Sequence, residues 1–457
     1  MFPGGWNYDF TNQINELLTN NHGQIHSDTY PIAHFLFGSK STELTNQHGA
    51  ILTLIYDAVI FISVKFFTDA TQGIFFLSLL QLLLGTFAIV FALRHFTRNV
   101  SDVAKMLILL LIGLNPYFPI YLIQLTKTPL FAVNFIIFFT LFMKLLENRA
   151  HTNKEYVGLF LSMLGMLIGV KFAFMLLLPT VIVFSFLMKK RWKKFIVVTG
   201  VALVVFKVIM MTMNGSGYIK MDDPIEAKTI QIQQVALYVK SYPNDIDSAD
   251  KKALEKIFSL KGLARYYDPR TTDMIKSTGL FNYVYRYRTV TEKDWEKFNG
   301  VWLNMFKRHP RVFVHAFFAK TFGYFDVLDQ PRRDLANTGQ IAFAVDKPHQ
   351  YEYSVPESSK IKQNTLKSML DIYDDWPVLE LFSRPNFWIV VGLLLIAMQL
   401  IYSGESKYIL LFVPFFLLVG VMVVSPVNNL DRYGIPYFLF IPILIPWLSN
   451  RSNTFNC

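Results

Sequence analysis

Residues 74–94 of the chain read IFFLSLLQLLLGTFAIVFALR, and the first charged side chain in this run is Arg94. An apolar helix of about 20 residues is long enough to cross the hydrocarbon core of a bilayer. Of the 457 residues, 53% are hydrophobic and 17% are charged, whereas a soluble domain averages about 25% charged residues. Further apolar runs cover about 103–123, 128–145, 155–171, 172–188, 195–213, 386–402, 407–425 and 433–449. We therefore predict an all-α polytopic membrane protein with about nine transmembrane helices.

The positive charges indicate an orientation for these helices rather than a nucleic-acid partner. The formal net charge is +11, but much of the Lys and Arg lies beside the apolar runs, as in the cytoplasmic loops of membrane proteins. Three loops collect basic side chains, namely Arg94, His95, Arg98 and Lys105; Lys144, Arg149 and Lys154; and Lys189, Lys190, Arg191, Lys193 and Lys194. All three lie on one side if every run spans, and we predict that this side is cytoplasmic. The segment 214–385 and the loop 426–432 are then external, and the tail with Arg451 is internal.

The side on which the N-terminal segment lies depends on the run 51–67. This run is apolar but carries Asp57 near its middle and Lys65 near its end. Because a central charge costs roughly 2.5–3.5 kcal/mol on insertion scales, we predict an interfacial helix, with a true span as the alternative. Residues 1–48 contain four acids and a single basic residue of the Lys or Arg type, which favours an external location for residues 1–50. An external start leads us to expect that a first transmembrane helix is missing from this chain.

These predictions divide the chain into four segments. They are an external first loop with its interfacial helix (1–73), transmembrane helices (74–213), an external domain (214–385) and C-terminal transmembrane helices (386–457). The external domain is predicted to be mostly helical, because apolar residues recur at helical spacing over 225–240 and 247–260. The one cysteine, Cys457, excludes a disulfide within the chain.

The sequence does not predict a metal site or another cofactor. Asp245, Asp247 and Asp250 resemble part of a calcium loop, but the sixth position of such a loop is a glycine and Asp250 stands there in this chain. Helix capping is the simpler interpretation of these acids. His and Cys residues do not cluster at metal-ligand spacing, and nothing in the sequence supports a divalent metal.

The first loop contains two stretches whose carboxylates suit acid–base chemistry. Asp9 lies between Tyr8 and Phe10, with Gln13 one helical turn further on. A carboxylate screened by aromatic side chains at a membrane surface can deprotonate an acceptor hydroxyl. The alternative is that Asp9 caps a helix over 10–19.

The second stretch contains Asp28 and His34. They would add a carboxylate and a hydrogen-bond donor to the same pocket. The alternative is an ordinary turn, since Asp28 is followed three residues later by Pro31.

Cations in two short external loops break the charge bias of the chain. Lys127 ends one loop, and Arg432 with Tyr433 begins the last apolar run. Such positions suit the phosphate group of a lipid at the outer leaflet, because Arg and Lys form charge-assisted hydrogen bonds with phosphate. The alternative is that both cations only anchor their helices at the interface.

Five short motifs occur in order along nearly the whole chain. They are Gly5-Trp6-Asn7-Tyr8-Asp9 with Gln13; Asp28-Thr29-Tyr30-Pro31 with His34; Thr126-Lys127-Thr128-Pro129-Leu130-Phe131; Glu226 to Gln234; and Asn429-Leu430-Asp431-Arg432-Tyr433 with Pro436. Together they resemble a group of Gram-positive bacterial membrane proteins that are similar to the glycosyltransferase C superfamily. The resemblance implies a polyprenyl-phosphate sugar as the donor and an acidic residue of the first external loop as the base. Asp9 would then be the base and Arg432 a phosphate contact.

Two features depart from that pattern. A helix would precede the Gly5-Trp6 stretch in related sequences, and here it is absent. Lys-Asp-Pro would stand where this chain has Lys127-Thr128-Pro129, and the missing carboxylate weakens any metal site there.

The predicted function is transfer of a sugar from a polyprenyl-phosphate donor to a cell-surface glycan, teichoic acid or lipid acceptor on the outer face. One alternative is a transporter or flippase for lipid-linked glycans, for which internal repeats and charges within spans would be typical. No repeat is visible, and Lys207 is one of few charges within a predicted span. Another alternative is a non-catalytic membrane scaffold that presents the external domain.

Overall fold

A computed structural model gives the fold. It describes residues 4–6, 9–10, 13–14, 44–46, 48–67, 70–147, 152–170, 172–187, 192–215, 219–220, 223–276, 284–286, 289–333, 357–403 and 406–449.

The described chain is built almost entirely from helices. Its first part contains α1 (Ala50–Phe67), α2 (Thr71–Phe96), α3 (Asp102–Gly113), α4 (Tyr117–Ile123), α5 (Lys127–Leu146), α6 (Asn153–Gly169), α7 (Ala173–Leu187) and α8 (Trp192–Gly215). A middle part contains α9 (Thr229–Ser241), α10 (Ser248–Ile257), α11 (Leu260–Arg265), α12 (Asp273–Lys276), α13 (Glu292–Arg308) and α14 (Pro310–Thr321). The last part contains α15 (Glu357–Asp375), α16 (Pro377–Ser383), α17 (Pro385–Ser403), α18 (Val413–Val424) and α19 (Asp431–Leu448). Short 3-10 helices cover Pro224–Lys228, Phe322–Tyr324 and Ser406–Phe412.

Five of the described helices are long and apolar enough to cross a membrane, which confirms the prediction of an all-α membrane protein. They are α1, α2, α5, α8 and α17. Helices α3 and α4 form a sixth candidate span that bends by 61° at the break between them. The remaining predicted runs lie in α6, α7, α18 and α19, which have 17, 15, 12 and 18 residues.

The run that the sequence predicted to lie in the membrane interface forms α1. It is one unbroken helix of 18 residues, and its length and composition also suit a span. The adjoining predicted runs 155–171 and 172–188 form two separate helices, because α6 ends at Gly169 and α7 begins at Ala173.

Helix α5 lies at the centre of the bundle. It packs against α2, α6 and α19, and 78% of its apolar window is buried inside the protein. Phe131, Phe135 and Phe139 recur every fourth residue along it, and each ring lies within 6.2 Å of the next. A helix that is apolar all round is either buried in the protein or faces lipid, and the burial of α5 places it in the protein core.

The middle helices form a second core. Ile232 and Val235 of α9 pack with Phe258, Trp295 and Phe298. The recurrence of Ile232, Val235 and Val239 at helical spacing, which predicted a helix here, therefore marks the buried face of α9.

The two ends of the bundle differ in charge. At the end where α5 finishes, Arg98 pairs with Glu147 at 3.1 Å and Lys144 pairs with Glu155 at 2.7 Å. The second core lies against the loop between α18 and α19, where Thr272 N donates to Pro426 O at 3.0 Å. Helix α5 begins at the same end of the bundle as this loop. Its 20 residues span about 30 Å, so its start lies about that far from the end with Arg98 and Lys144, which we call the basic end.

Candidate functional site

The N-terminal segment is positioned by a short parallel pairing with the chain ahead of α5. Strand β1 (Gly5–Trp6) pairs with a strand at Gln124–Leu125, with Gly5 opposite Gln124 and Trp6 opposite Leu125. A second such pair joins Leu44–Thr45 to Ile219–Lys220. The first pairing brings Asp9 and Lys127 to the same end of the bundle, because each follows its strand within a few residues.

The packing of neighbouring apolar side chains orients Asp9. Trp6, Phe10 and Ile14 are at most 1% exposed and belong to a small core with Tyr56 and Ile60 of α1. Phe10 and Ile14 are four residues apart and helical, so they occupy one face of a helical turn. Asp9 is left on the other face. Asp9 is itself helical, and most of the helix over 10–19 that it would cap lies outside the described residues.

Three of the predicted site residues meet at this point. Arg432 Nη1 donates to Asp9 Oδ2 at 2.7 Å, and Lys127 Nζ lies 3.9 Å from the same oxygen. His48 Nδ1 lies 3.8 Å from it as well. The side chains of Asp9 and Arg432 are each 15% exposed and that of Lys127 is 24% exposed. The cluster is therefore shielded but still reaches solvent.

Arg432 is presented by the turn that precedes α19. Asn429 has a φ of 46°, a conformation that Asn tolerates better than most residues. Its Nδ2 donates to Asp329 Oδ2 at 2.8 Å, and Asn428 Oδ1 accepts from Gly323 N at 3.0 Å. The two asparagines of this motif thus fasten the turn to the chain that follows α14, and Arg432 follows within the first turn of the helix.

The charges around Asp9 fix its ionisation. Burial would raise the pKa of Asp9, but Arg432, His48 and Lys127 outweigh burial and hold that pKa well below its usual value. Burial lowers the pKa of His48 to about 4, although the negative charge of Asp9 acts to raise it. At pH 7 the imidazole is neutral, so the cationic partners of the ionised Asp9 are Arg432 and Lys127.

A second ion pair adjoins the cluster and was not predicted. Lys276 Nζ donates to Glu226 Oε2 at 2.6 Å and lies 3.7 Å from Asp273 Oδ1. Burial would lower the pKa of Lys276, but Glu226 and Asp273 raise it above its usual value. The charge of Glu226 also acts on His48 and Lys127. Glu226 belongs to one of the five motifs, whereas no sequence pattern marks Lys276.

A comparison with protein families identifies the family of this chain. One family model matches residues 1–455. The chain belongs to DUF6020, a family of unknown function. No curated protein and no solved structure matches it. The geometry of its site is therefore the main guide to the function of this DUF6020 member.

The remaining predicted residues of the DUF6020 chain have different positions. Gln13 is 1% exposed, and its Nε2 donates to Thr53 Oγ1 at 2.8 Å and to the carbonyl of His48 at 3.4 Å. Through its contact with the carbonyl, Gln13 helps to position His48. The ring of Tyr433 lies 5.3 Å from the guanidinium of Arg432. Asp28 and His34 lie outside the described residues.

The described part of the DUF6020 chain contains no group of three or more His, Cys, Asp or Glu side chains that could hold a metal ion. The acids that resemble a calcium loop have protein partners instead. Arg308 binds Asp247, and His309 Nε2 lies 2.7 Å from Asp245 Oδ2. Asp247 occupies the N-cap position of α10, but its side chain makes no capping hydrogen bond and pairs with Arg308 instead.

Proposed function

We propose that this protein is a glycosyltransferase of the outer membrane face. It moves a sugar from a polyprenyl-phosphate donor to a cell-surface glycan, teichoic acid or lipid acceptor. The observation that supports this most is the meeting of Asp9 with Arg432 and Lys127. One shielded carboxylate and two cations, drawn from three distant parts of the chain, lie at the end of the bundle away from the basic loops.

In this proposal the cations bind the donor. Arg432 and Lys127 carry the charges that a lipid phosphate requires, and a guanidinium can hold two phosphate oxygens at once. The ring of Tyr433 lies 5.3 Å from the guanidinium of Arg432 and helps to position it. The membrane location of the helices brings the phosphate to this level, because the prenyl chain stays in the hydrocarbon region.

Asp9 accepts the proton of the acceptor. The acceptor oxygen forms a bond to the anomeric carbon of the sugar, and the bond from that carbon to the phosphate oxygen breaks. Polyprenyl phosphate leaves with the electron pair, and the hydroxyl proton passes to Asp9. A positioned base of this kind contributes about 10²–10⁴-fold to a rate.

The low pKa of Asp9 in the free protein is compatible with a role as the base. Arg432 and Lys127 depress it in the free protein, and a strongly depressed pKa makes a weak base. When a donor phosphate binds the two cations, their charges are neutralised while Asp9 remains desolvated. Its pKa then rises, so the carboxylate gains basicity only when a donor is bound.

The proposed function requires a particular membrane topology. It has about nine spans and places the segments 1–50 and 214–385 outside. The end of the bundle with Asp9 would face the outside, and the end with Arg98 and Lys144 would face the cytoplasm, in accord with the preference of Lys and Arg for cytoplasmic loops.

A non-catalytic scaffold is the second candidate, and a specific observation favours it. The ion pair between Asp9 and Arg432 joins the first loop to the last helix, over 423 residues of chain. Such a pair would hold the fold together even if no chemistry took place there.

The test is sugar transfer from a radiolabelled polyprenyl-phosphate hexose by the purified protein in vesicles. Asp9→Asn keeps the size of the side chain and its contact with Arg432 but removes the base. We expect transfer to fall by about 10²–10⁴-fold. Asp371→Asn, which changes an exposed acid on α15, is the matched control and should keep full activity. Full activity in Asp9→Asn would exclude Asp9 as the base.

A further inference from the structure

A cavity of about 350 Å³ lies between α1, α6, α7 and α8. Its volume is within the range of roughly 300–1,000 Å³ typical of small-molecule sites. Most of its wall is apolar and includes Ile51, Ile168, Phe206 and Met210. Two polar side chains, Lys207 and Asn214, lie on the same face of α8.

The cavity adjoins the cluster around Asp9. Gly49 forms part of its wall, and the preceding residue, His48, contacts Asp9. Ile168 lies directly beside Gly49, since a Cβ added to Gly49 would lie 3.4 Å from the Ile168 carbonyl oxygen. The next residue, Gly169, faces the backbone of Lys127 so closely that an added Cβ would lie 3.1 Å from the Lys127 carbonyl oxygen. The cavity and the charged site therefore share the start of α1 and the end of α6 as a common border.

Lys207 is the unusual residue of this cavity. It lies in a candidate membrane span, where a charged side chain is costly and commonly marks a functional site. No hydrogen bond or ion pair joins Lys207 to another residue in the described part of the chain. It stands eight residues before Gly215, about 12 Å from the end of α8, so its long side chain can extend toward the headgroup level.

We propose that this cavity is a binding site for the donor lipid, next to the charged site. Its apolar wall holds the isoprene units nearest the phosphate, and Lys207 with Asn214 attracts the phosphate from the membrane toward Arg432 and Lys127. The inference rests on the proposed function for the identity of the lipid. The occupant is a prenyl phosphate because the site combines an apolar wall with a cation that has no carboxylate partner among the described residues.

Photolabelling tests this inference without any need for sugar transfer. The full-length protein is placed in phosphatidylcholine vesicles with a C15 prenyl phosphate that carries a diazirine on its chain, and labelled peptides are found by mass spectrometry. We expect labels on the segments 46–51 and 206–214. Met210→Trp fills the cavity and should lower this labelling about tenfold. Met211→Trp, which changes a neighbouring residue that is 62% exposed, should leave the labelling unchanged.

The charge is tested separately. Lys207→Gln should lower labelling by the prenyl phosphate about tenfold, the effect expected for loss of a charge-assisted contact, but should not lower labelling by the matching C15 prenyl alcohol. Equal labelling in Met210→Trp and wild type would overturn the inference, as would equal labelling by a diazirine-bearing phosphatidylglycerol, which would indicate a general anionic-lipid site.

The outcomes also separate the inference from the proposed function. Cavity labelling in a protein that transfers no sugar would support the lipid site and overturn the proposed transferase. Sugar transfer that survives in both Met210→Trp and Lys207→Gln, without cavity labelling, would overturn the lipid site alone.

Discussion

At the scale of the residue, the site depends on Asp9 being charged while largely removed from water. Burying a lone carboxylate is unfavourable, and a nearby guanidinium restores the ionised form. His48 completes the surroundings as a neutral imidazole, because burial disfavours its protonated form. The cluster is thus one anion with two cations, held against a neutral ring.

The buried imidazole predicts a pH dependence of stability. The pKa of His48 is about 4 in the folded protein and about 6.5 in an unfolded chain, so the unfolded chain binds this proton more readily. Its contribution is complete above about pH 6.5 and is lost as the pH falls toward 4, by up to about 3 kcal/mol. Thermal unfolding in detergent between pH 4 and 8 should show a smaller decline for His48→Gln than for wild type. Parallel profiles would contradict the neutral buried imidazole.

At this scale the sequence predicted part of the site. Asp9 stood out as a carboxylate between aromatic residues, and Lys127 and Arg432 stood out as cations in short loops predicted to be external. The structure brings the three together. His48 lies in no pattern that distinguishes a buried imidazole from a surface one. Lys276 gave no signal because its role depends on Glu226, a residue 50 positions away.

At the scale of the element, the turn ahead of α19 controls where Arg432 lies. Asn428 and Asn429 bind Gly323 and Asp329, and Arg332 N donates to the carbonyl of Asn429 at 2.8 Å. Gly323 permits this close packing because a Cβ there would collide with the carboxylate of Asp329 and lie 2.8 Å from the Cβ of Asn429.

This packing predicts the effect of adding one methyl group. Gly323→Ala should destabilise the protein by about 1–3 kcal/mol, the usual cost of overpacking, and should lower sugar transfer as the turn moves. Gly300→Ala is the matched control, since a Cβ added there in α13 would meet no atom within 4 Å and Ala favours a helix over Gly by about 1 kcal/mol. Thermal unfolding of both variants checks the prediction. Equal stability of the two would contradict a tightly packed turn.

The elements themselves were predictable to different degrees. The apolar runs predicted the bundle helices well, because a helix in lipid must satisfy its own backbone hydrogen bonds. The two-residue strand pairs, such as Gly5–Trp6 with Gln124–Leu125, were not predictable, since so short a pairing leaves no periodic pattern. That pairing nevertheless aligns Asp9 with Lys127.

At the scale of the whole molecule, the bundle has two chemically different ends. The ion pairs Arg98–Glu147 and Lys144–Glu155 lie at one end. The Asp9 cluster and the second core lie at the other. The charge bias along the sequence predicted this separation, although it could not predict how the second core docks.

The separation predicts an accessibility pattern in intact cells. In a chain with Cys457→Ser, a cysteine at Ser248 should react with a membrane-impermeant maleimide. A cysteine at Asn99, an exposed residue at the basic end, should react only after the membrane is permeabilised, because Lys and Arg concentrate on the cytoplasmic side. The reverse pattern would place the Asp9 cluster inside the cell and exclude a transferase of the outer face.

The central claim is that the Asp9 cluster carries out chemistry and does not merely join two parts of the fold. The double variant Asp9→Asn, Arg432→Gln tests it, with stability and sugar transfer measured on the same preparation at saturating donor. Asp9→Asn alone leaves two shielded cations, Arg432 and Lys127, without their anion and should lower stability by up to about 3 kcal/mol. In the double variant both side chains are neutral and can still share a hydrogen bond, and Lys127 keeps its charge. We therefore predict that much of the stability recovers while transfer remains about 10²–10⁴-fold below wild type. Recovery of transfer together with stability would contradict the claim and identify the pair as a structural tie.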